Sequence, residues 1–182
     1  MSRGGDELDL ATAETMPLSA GDGHRALHAL VGEWEGVTYT WLDPDKPPDA
    51  SGIEMRIQAI LGGRFVRLEY RGQVMGKGHA GEMLVGYDLS ERRFTAAWVD
   101  SFHMASGIMM SAGERRDDGA IAVLGSYDAA GQKWGWRTVL RRAGDGEGDG
   151  DALLVEATNI SPDGEEHRAI ASRLTRRATP AP

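Results

Sequence analysis

From Gly32 onward the hydrophobic pattern repeats every second residue, and the runs that carry it are cut at short intervals by turn-forming residues. A period of two sends successive side chains to opposite faces of a ribbon, so each run reads as a strand with one dry and one wet face. The runs fall at 33–42, 51–61, 64–75, 79–88, 93–100, 103–114, 120–127, 133–142, 152–160 and 166–177. Ile53, Met55, Ile57 and Ala59 share one face of their run, while Glu54, Arg56 and Gln58 take the other. Trp134, Trp136, Thr138 and Leu140 oppose Arg137 and Arg141 in the same way, and Val66, Leu68 and Tyr70 oppose Phe65, Arg67, Glu69 and Arg71.

The breaks have turn chemistry. Asp43-Pro44-Asp45-Lys46-Pro47-Pro48 cannot continue a ladder, because proline lacks the backbone donor. Gly62-Gly63 reads as a tight hairpin, and Asp88-Leu89-Ser90-Glu91, Asp117-Asp118-Gly119, Asp128-Ala129-Ala130-Gly131 and Ser161-Pro162-Asp163-Gly164 read as turns. Connections this short join antiparallel neighbours and leave no room for βαβ crossovers. A meander of about ten strands has to curl, split or close, and closure removes exposed edges. The expected fold is therefore all-β, a single antiparallel up-and-down β-barrel of about ten strands with a short N-terminal helix. Glycines inside the runs (Gly36, Gly81, Gly86, Gly107, Gly125, Gly135) suit bulges and bends at barrel corners. The helix is expected over 22–31, with Asp22 as N-cap and Leu27, Leu30 and Val31 as its apolar stripe.

Residues 1–21 read as a disordered acidic tail, 22–177 as the barrel domain and 178–182 as a disordered C-terminal tail; Met16 stands as an alternative start. The N-terminal stretch has neither the cationic start nor the apolar stretch of a secretory signal. The net charge of −8 is unevenly placed. Residues 1–24 hold five acids against one Arg, and 144–166 hold eight acids and no base, so the rest carries an excess of four bases. This balance argues against a nucleic-acid binder, which needs a basic face. With no Cys, the chain has no disulfide, thiolate metal site or cysteine nucleophile. No apolar run approaches the roughly 20 residues of a membrane helix, and cytoplasm is the expected compartment.

Gly32-Glu33-Trp34-Glu35-Gly36, on the first strand after a short helix, resembles the opening of calycin-type barrels, which include lipocalins, fatty-acid-binding proteins and nitrobindins. Ile60-Leu61-Gly62-Gly63-Arg64-Phe65-Val66, Gly86-Tyr87-Asp88 and Ala97-Trp98-Val99-Asp100-Ser101-Phe102-His103 resemble the bacterial family called domain of unknown function 1579. Leu124-Gly125-Ser126-Tyr127-Asp128 and Trp134-Gly135-Trp136-Arg137-Thr138 fit the same family. The resemblance covers about residues 24 to 177 and implies a calycin-like barrel without assigning an activity. It also implies that Trp34 closes one end of the lumen under an arginine from the last strand, with Arg173 expected in that place and Arg176 next.

Asp100 and His103 form the sharpest candidate site. A reversal near Ser101-Phe102 brings them together at the barrel mouth, where a carboxylate orients the imidazole and suits it to acid–base catalysis. The bland alternative is that Asp100 caps the turn and His103 pairs with it. Ser101 lacks the Gly-x-Ser-x-Gly elbow of a nucleophile. For a lumen ligand the expected contacts are Met55, Ile57, Tyr70, Trp98, His103, Met109, Trp136 and Arg137. Thioethers re-pack around guests of different shape, and a guanidinium anchors a carboxylate. Met75, Met83, Met104 and Met110 complete the methionines of the barrel body, and Arg67, Glu69, Arg71 and Glu156 fall mid-strand.

His24 and His28 share a helix face at metal-binding spacing but lack a third ligand nearby, and solvated side chains are expected. Asp145-Gly146-Glu147-Gly148-Asp149-Gly150 with Glu156 nearly fits a calcium loop, yet its flanks read as strands rather than helices. Nitrobindins ligate haem through a histidine near the C-terminus, and His167 invites that comparison. Its neighbours Glu165, Glu166 and Arg168 depart from an apolar haem wall. No metal or cofactor is expected. The leading reading is a protein that binds a small apolar or amphipathic ligand in its lumen. The alternatives are a cofactor-independent isomerase, cyclase or hydrolase using Asp100 and His103, a haem binder, and a self-filled barrel acting through a surface partner.

Overall fold

The computed structural model describes residues 21–104, 106–144 and 151–177. The acidic N-terminal segment to residue 20, the 145–150 stretch of the calcium-like loop and residues 178–182 lie outside the described residues. The described chain forms one α-helix, α1 (Asp22–His28), and ten strands. The strands are β1 (Gly32–Thr40), β2 (Asp49–Ile60), β3 (Phe65–Val74), β4 (Lys77–Asp88), β5 (Arg93–Asp100), β6 (Met109–Arg115), β7 (Ile121–Ala129), β8 (Gln132–Ala143), β9 (Ala152–Ile160) and β10 (Glu166–Arg176). Each pairs antiparallel with the next, and β1 pairs with β10, so the barrel is closed as expected. Among the described residues no helix is long and apolar enough to cross a membrane.

The interior follows the alternation. Ile53, Met55 and Ile57 on β2, Val66 and Leu68 on β3, Phe94, Ala96 and Trp98 on β5, and Trp136 and Leu140 on β8 are buried in one cluster with Leu27, Leu30 and Trp34. At roughly 1.5–3 kcal/mol for each fully buried large side chain, this inner face is the main source of stability.

Several local expectations are corrected. Gly21, not Asp22, occupies the N-cap position, and Asp22 instead pairs with Arg25 in the first turn. The tight Gly62-Gly63 hairpin is a longer turn in which Leu61, Gly62 and Gly63 all have positive φ, and the ladder reopens at Ile60 and Phe65. β6 begins at Met109 rather than at residue 103, because Asp100 captures the backbone donors of Phe102 and His103 and a second turn links Gly107 N–H to Met104 O at 2.8 Å. The mid-strand glycines Gly81 and Gly86 serve close approach: a Cβ would lie 2.2 Å from Tyr70 Oη at the first and 2.6 Å from the Phe65 ring at the second. A register shift falls instead at Ala169 in β10.

The helix end is closed by a polar latch. Arg176, not Arg173, lies over the Trp34 ring at 4.3 Å. Trp34 pairs directly with Arg176 across the β1–β10 seam, whereas Arg173 pairs with Val37 and stands on the outer face. Asp151 holds Arg176 Nε at 2.5 Å and Arg142 Nε at 2.6 Å, and the two guanidinia donate to Val31 O and Ala29 O just beyond α1. Trp34 Nε1 donates to Leu30 O at 3.0 Å, tying the plug to the first strand.

Candidate functional site

Tyr70, Gly81 and Asp100 occupy one transverse row across β3, β4 and β5, all on the inner face. Gly81 has no side chain to fill the middle of that row, so the Tyr70 ring lies across it and reaches Asp100. The phenol O–H donates to Asp100 Oδ2, and Trp98 Nε1 donates to the same phenol oxygen at 2.9 Å. At Oδ1, Asp100 accepts from the backbone N–H groups of Phe102 at 2.7 Å and His103 at 2.6 Å, and it contacts His103 Nδ1 at 3.1 Å. The turn-capping and imidazole-orienting roles weighed from the sequence are thus performed by the same oxygen.

A second imidazole completes the cluster. His79 sits one inward position beyond Gly81 on β4, with Nε2 3.6 Å from Asp100 Oδ2 and its ring 5.5 Å from that of Tyr70. Its side chain is 7 % exposed, and Nδ1 has no hydrogen-bond partner. Trp98 and Trp136 stack at 5.3 Å, and His103 lies 5.7 and 5.4 Å from them. This cluster stands away from α1, which packs on the other half of β4 through Tyr87.

The electrostatics follow from these contacts. Burial pushes the Asp100 carboxyl upward, but hydrogen bonds from His103 and Tyr70, then the His103 backbone N–H and imidazole charge, outweigh it and hold the group ionised well below the usual carboxylate range. Burial, the adjacent Asp100 charge and the hydrogen bond to Asp100 drive the Tyr70 phenol upward, so it stays protonated. Burial lowers His79; Asp100 partly offsets this and His103 adds to it.

An internal cavity of about 60 Å³ adjoins this cluster. His79, His103, Tyr70, Trp98 and Trp136 line one side, and the hydroxyls of Thr38, Thr40, Thr138 and Ser172 line another. Met55, Leu68 and Met83 add apolar wall. Ser172 donates to Thr38 Oγ1 at 2.8 Å, and Trp136 Nε1 donates to Thr138 Oγ1 at 3.2 Å.

The family described as "Protein of unknown function (DUF1579)" matches residues 19–176. The chain belongs to this family. No curated protein matches it. Among solved structures, Rv2717c from M. tuberculosis is similar, with a TM-score of 0.55 and 16 % identity over 87 % of this chain and 99 % of that one. At that identity the likeness concerns the fold alone.

Of the residues expected to meet a ligand, Met55, Tyr70, Trp98, His103 and Trp136 line the cavity. Ile57 and Met109 are buried in the surrounding core instead. Arg137 is a correction: it stands between the inward Trp136 and Thr138, so it points outward, where it pairs with Glu166. Ser101 is exposed and bonded to the Ala80 backbone. Met83 is buried and lines the cavity, whereas Met75 and Met110 are exposed. His24 is buried against Tyr87 rather than solvated, and His28 Nε2 meets Gly63 O at 2.8 Å. Among the described residues no group of three ligating side chains could hold a metal. His167 does not fit the haem-ligand expectation: it lies 3.7 Å from Glu165, half-exposed and off the wall of this cavity. Sequence reasoning passed over His79 and read Gly81 only as a glycine suited to a bulge or bend. The inward parity of both with Met83 was the available signal.

Proposed function

We propose that this barrel binds a small molecule in its interior, beside the His79, Tyr70, Asp100 and His103 cluster. The observation that carries this reading is the cavity of about 60 Å³ inside the barrel, lined by two imidazoles, the Tyr70 phenol, two indoles and four hydroxyl side chains. Hydroxyl, imidazole and indole groups set among apolar side chains suit a guest with both polar and apolar parts. Met55 and Met83 on the same wall can shift to fit the guest. Native mass spectrometry of freshly purified protein tests the reading, followed by a fragment screen monitored through the indole N–H signals of Trp98 and Trp136. A retained mass, or fragments that move those signals, is expected. An empty protein with unmoved signals overturns the reading.

A second reading rests on the 3.1 Å contact between His103 Nδ1 and the ionised Asp100. With Nδ1–H fixed on the carboxylate, Nε2 becomes the basic atom, which suits His103 to general acid–base catalysis by a cofactor-independent enzyme. If the retained molecule is a substrate, His103→Gln should abolish its turnover and leave the circular dichroism unchanged. Undiminished turnover ends this second reading.

A further inference from the structure

The outside of the barrel is not uniform. Over β1, β2 and β3 it is laced with ion pairs: Arg56 with Glu33, Arg67 with Glu69, and Arg177 with Glu35 and Glu54. Over β5 and β6 it is apolar. Phe94, Ala96 and Trp98 are buried inward, so Thr95, Ala97 and Val99 point outward, and register sets Thr95 beside Ala112 and Ala97 beside Met110. Leu84 on β4 adjoins Ala97, and Leu124 on β7 adjoins Ala112. Val99 and Ile108 stand at one end of this stripe, Arg93 and Glu114 at the other. Met110 is 65 % exposed, Ile108 66 % and Leu124 52 %. One exposed apolar residue is ordinary, but a set that adjoins across four strands marks an interaction surface.

The order of residues along the stripe is self-complementary. Every strand of the closed barrel is paired on both sides, so association uses a face rather than an edge. Consider two such faces related by a twofold axis parallel to the strands and midway between β5 and β6. Each residue then lies opposite the partner's copy of its own cross-strand neighbour. Met110 seats on the partner's small Ala97, Thr95 meets Ala112, and Val99 meets Ile108. Arg93 meets Glu114 with opposite charge. Within one chain Arg93 contacts Glu91, and among the described residues Glu114 has no ion pair, so the second copy supplies the counter-charge. The size is adequate for a reversible contact. Four strands about 4.8 Å apart and four outward positions about 6.8 Å apart give about 500 Å² per copy, or about 1,000 Å² in all, the lower end for a specific interface.

We propose that the outer face of β5 and β6, flanked by Leu84 and Leu124, joins two copies of this chain as a reversible twofold dimer. Sedimentation velocity of the folded, full-length protein from about 1 to about 500 µM tests this, and the mass should rise from one chain to two. Met110→Lys puts a charge at the centre and should weaken association at least about tenfold. Arg93→Glu sets like charges opposite each other and should weaken it about fivefold. Adding Glu114→Arg to that variant should restore association to within about twofold of wild type. In a sample mixing ¹³C-labelled and unlabelled chains, the labelled Met110 methyl should show a nuclear Overhauser contact to the unlabelled partner's Ala97 methyl. Should Met110→Lys not fold, the charge exchange and this contact decide. A dimer indifferent to every one of these variants uses another surface, which overturns the proposal. A chain still monomeric at the highest concentration overturns it as well. In such a monomer, contacts from Met110 to leucines before residue 21 assign the face to the chain's own N-terminal segment, and their absence assigns it to a different protein.

Discussion

At the scale of single residues, the charge on Asp100 survives burial because donors converge on both of its oxygens. Hydrogen bonds to a charged group contribute more than neutral ones, so Asp100→Asn, which keeps the shape and loses the charge, should destabilise the protein by about 2–3 kcal/mol in urea unfolding. The carboxyl of Asp100 is depressed, so its contribution is present above the ordinary carboxylate range and lost as pH falls through the lowered folded value. Two histidines act earlier on the acid side. Burial lowers His79, with Asp100 opposing and His103 reinforcing, and burial lowers His24, with His28 reinforcing. The unfolded imidazoles take up protons near 6.5 while the folded ones resist, so stability declines as pH drops below that value. The thermal midpoint should therefore be higher at about pH 7 than at about pH 5, and His79→Leu should narrow the gap in calorimetry. The proximity of Asp100 and His103 was legible because both lie on one turn. The convergence of Tyr70 and His79 was not, because register across β3, β4 and β5 brings them in.

At the scale of elements, β4 owes its place in the site to a missing side chain. In Gly81→Ala the added methyl meets Tyr70 Oη and, at 2.8 Å, the Val99 carbonyl. Overpacking of this kind costs roughly 1–3 kcal/mol, and the Trp98 indole signal should move as Tyr70 is displaced. At the other end, Arg176 combines a ring contact with bonds to Asp151 and Val31 O. Arg176→Ala should lower stability by about 1–3 kcal/mol and speed amide exchange in α1, as measured by deuterium uptake. Choosing Arg173 for this contact conflicts with parity that the sequence already displays: Leu174 faces inward, so Arg173 cannot, while Arg176 shares the leucine's side. The same argument turns Arg137 outward beside Trp136. Asp151 gave no such sign, since it follows directly on an acidic run whose other members gave no reason to single it out.

At the scale of the whole molecule, alternation and turn spacing made ten strands and a closed barrel readable, because every neighbouring pair but one is joined by a short connection. The width of the interior was not readable, since it depends on how Trp98, Trp136, Met55 and Met83 interlock across the cylinder. The small cavity that remains can be filled. Ala157→Val places added bulk in it and should change unfolding free energy by less than about 1.5 kcal/mol, while weakening any interior guest at least about tenfold by titration calorimetry. The exception to local connection is the β1–β10 seam, which joins Trp34 to Arg176. During synthesis β1 is made first and β10 last of the ten, so a growing sheet carries a bare margin at β1 until the final strand arrives. The newborn chain is therefore most open to pairing with strangers just before it is whole.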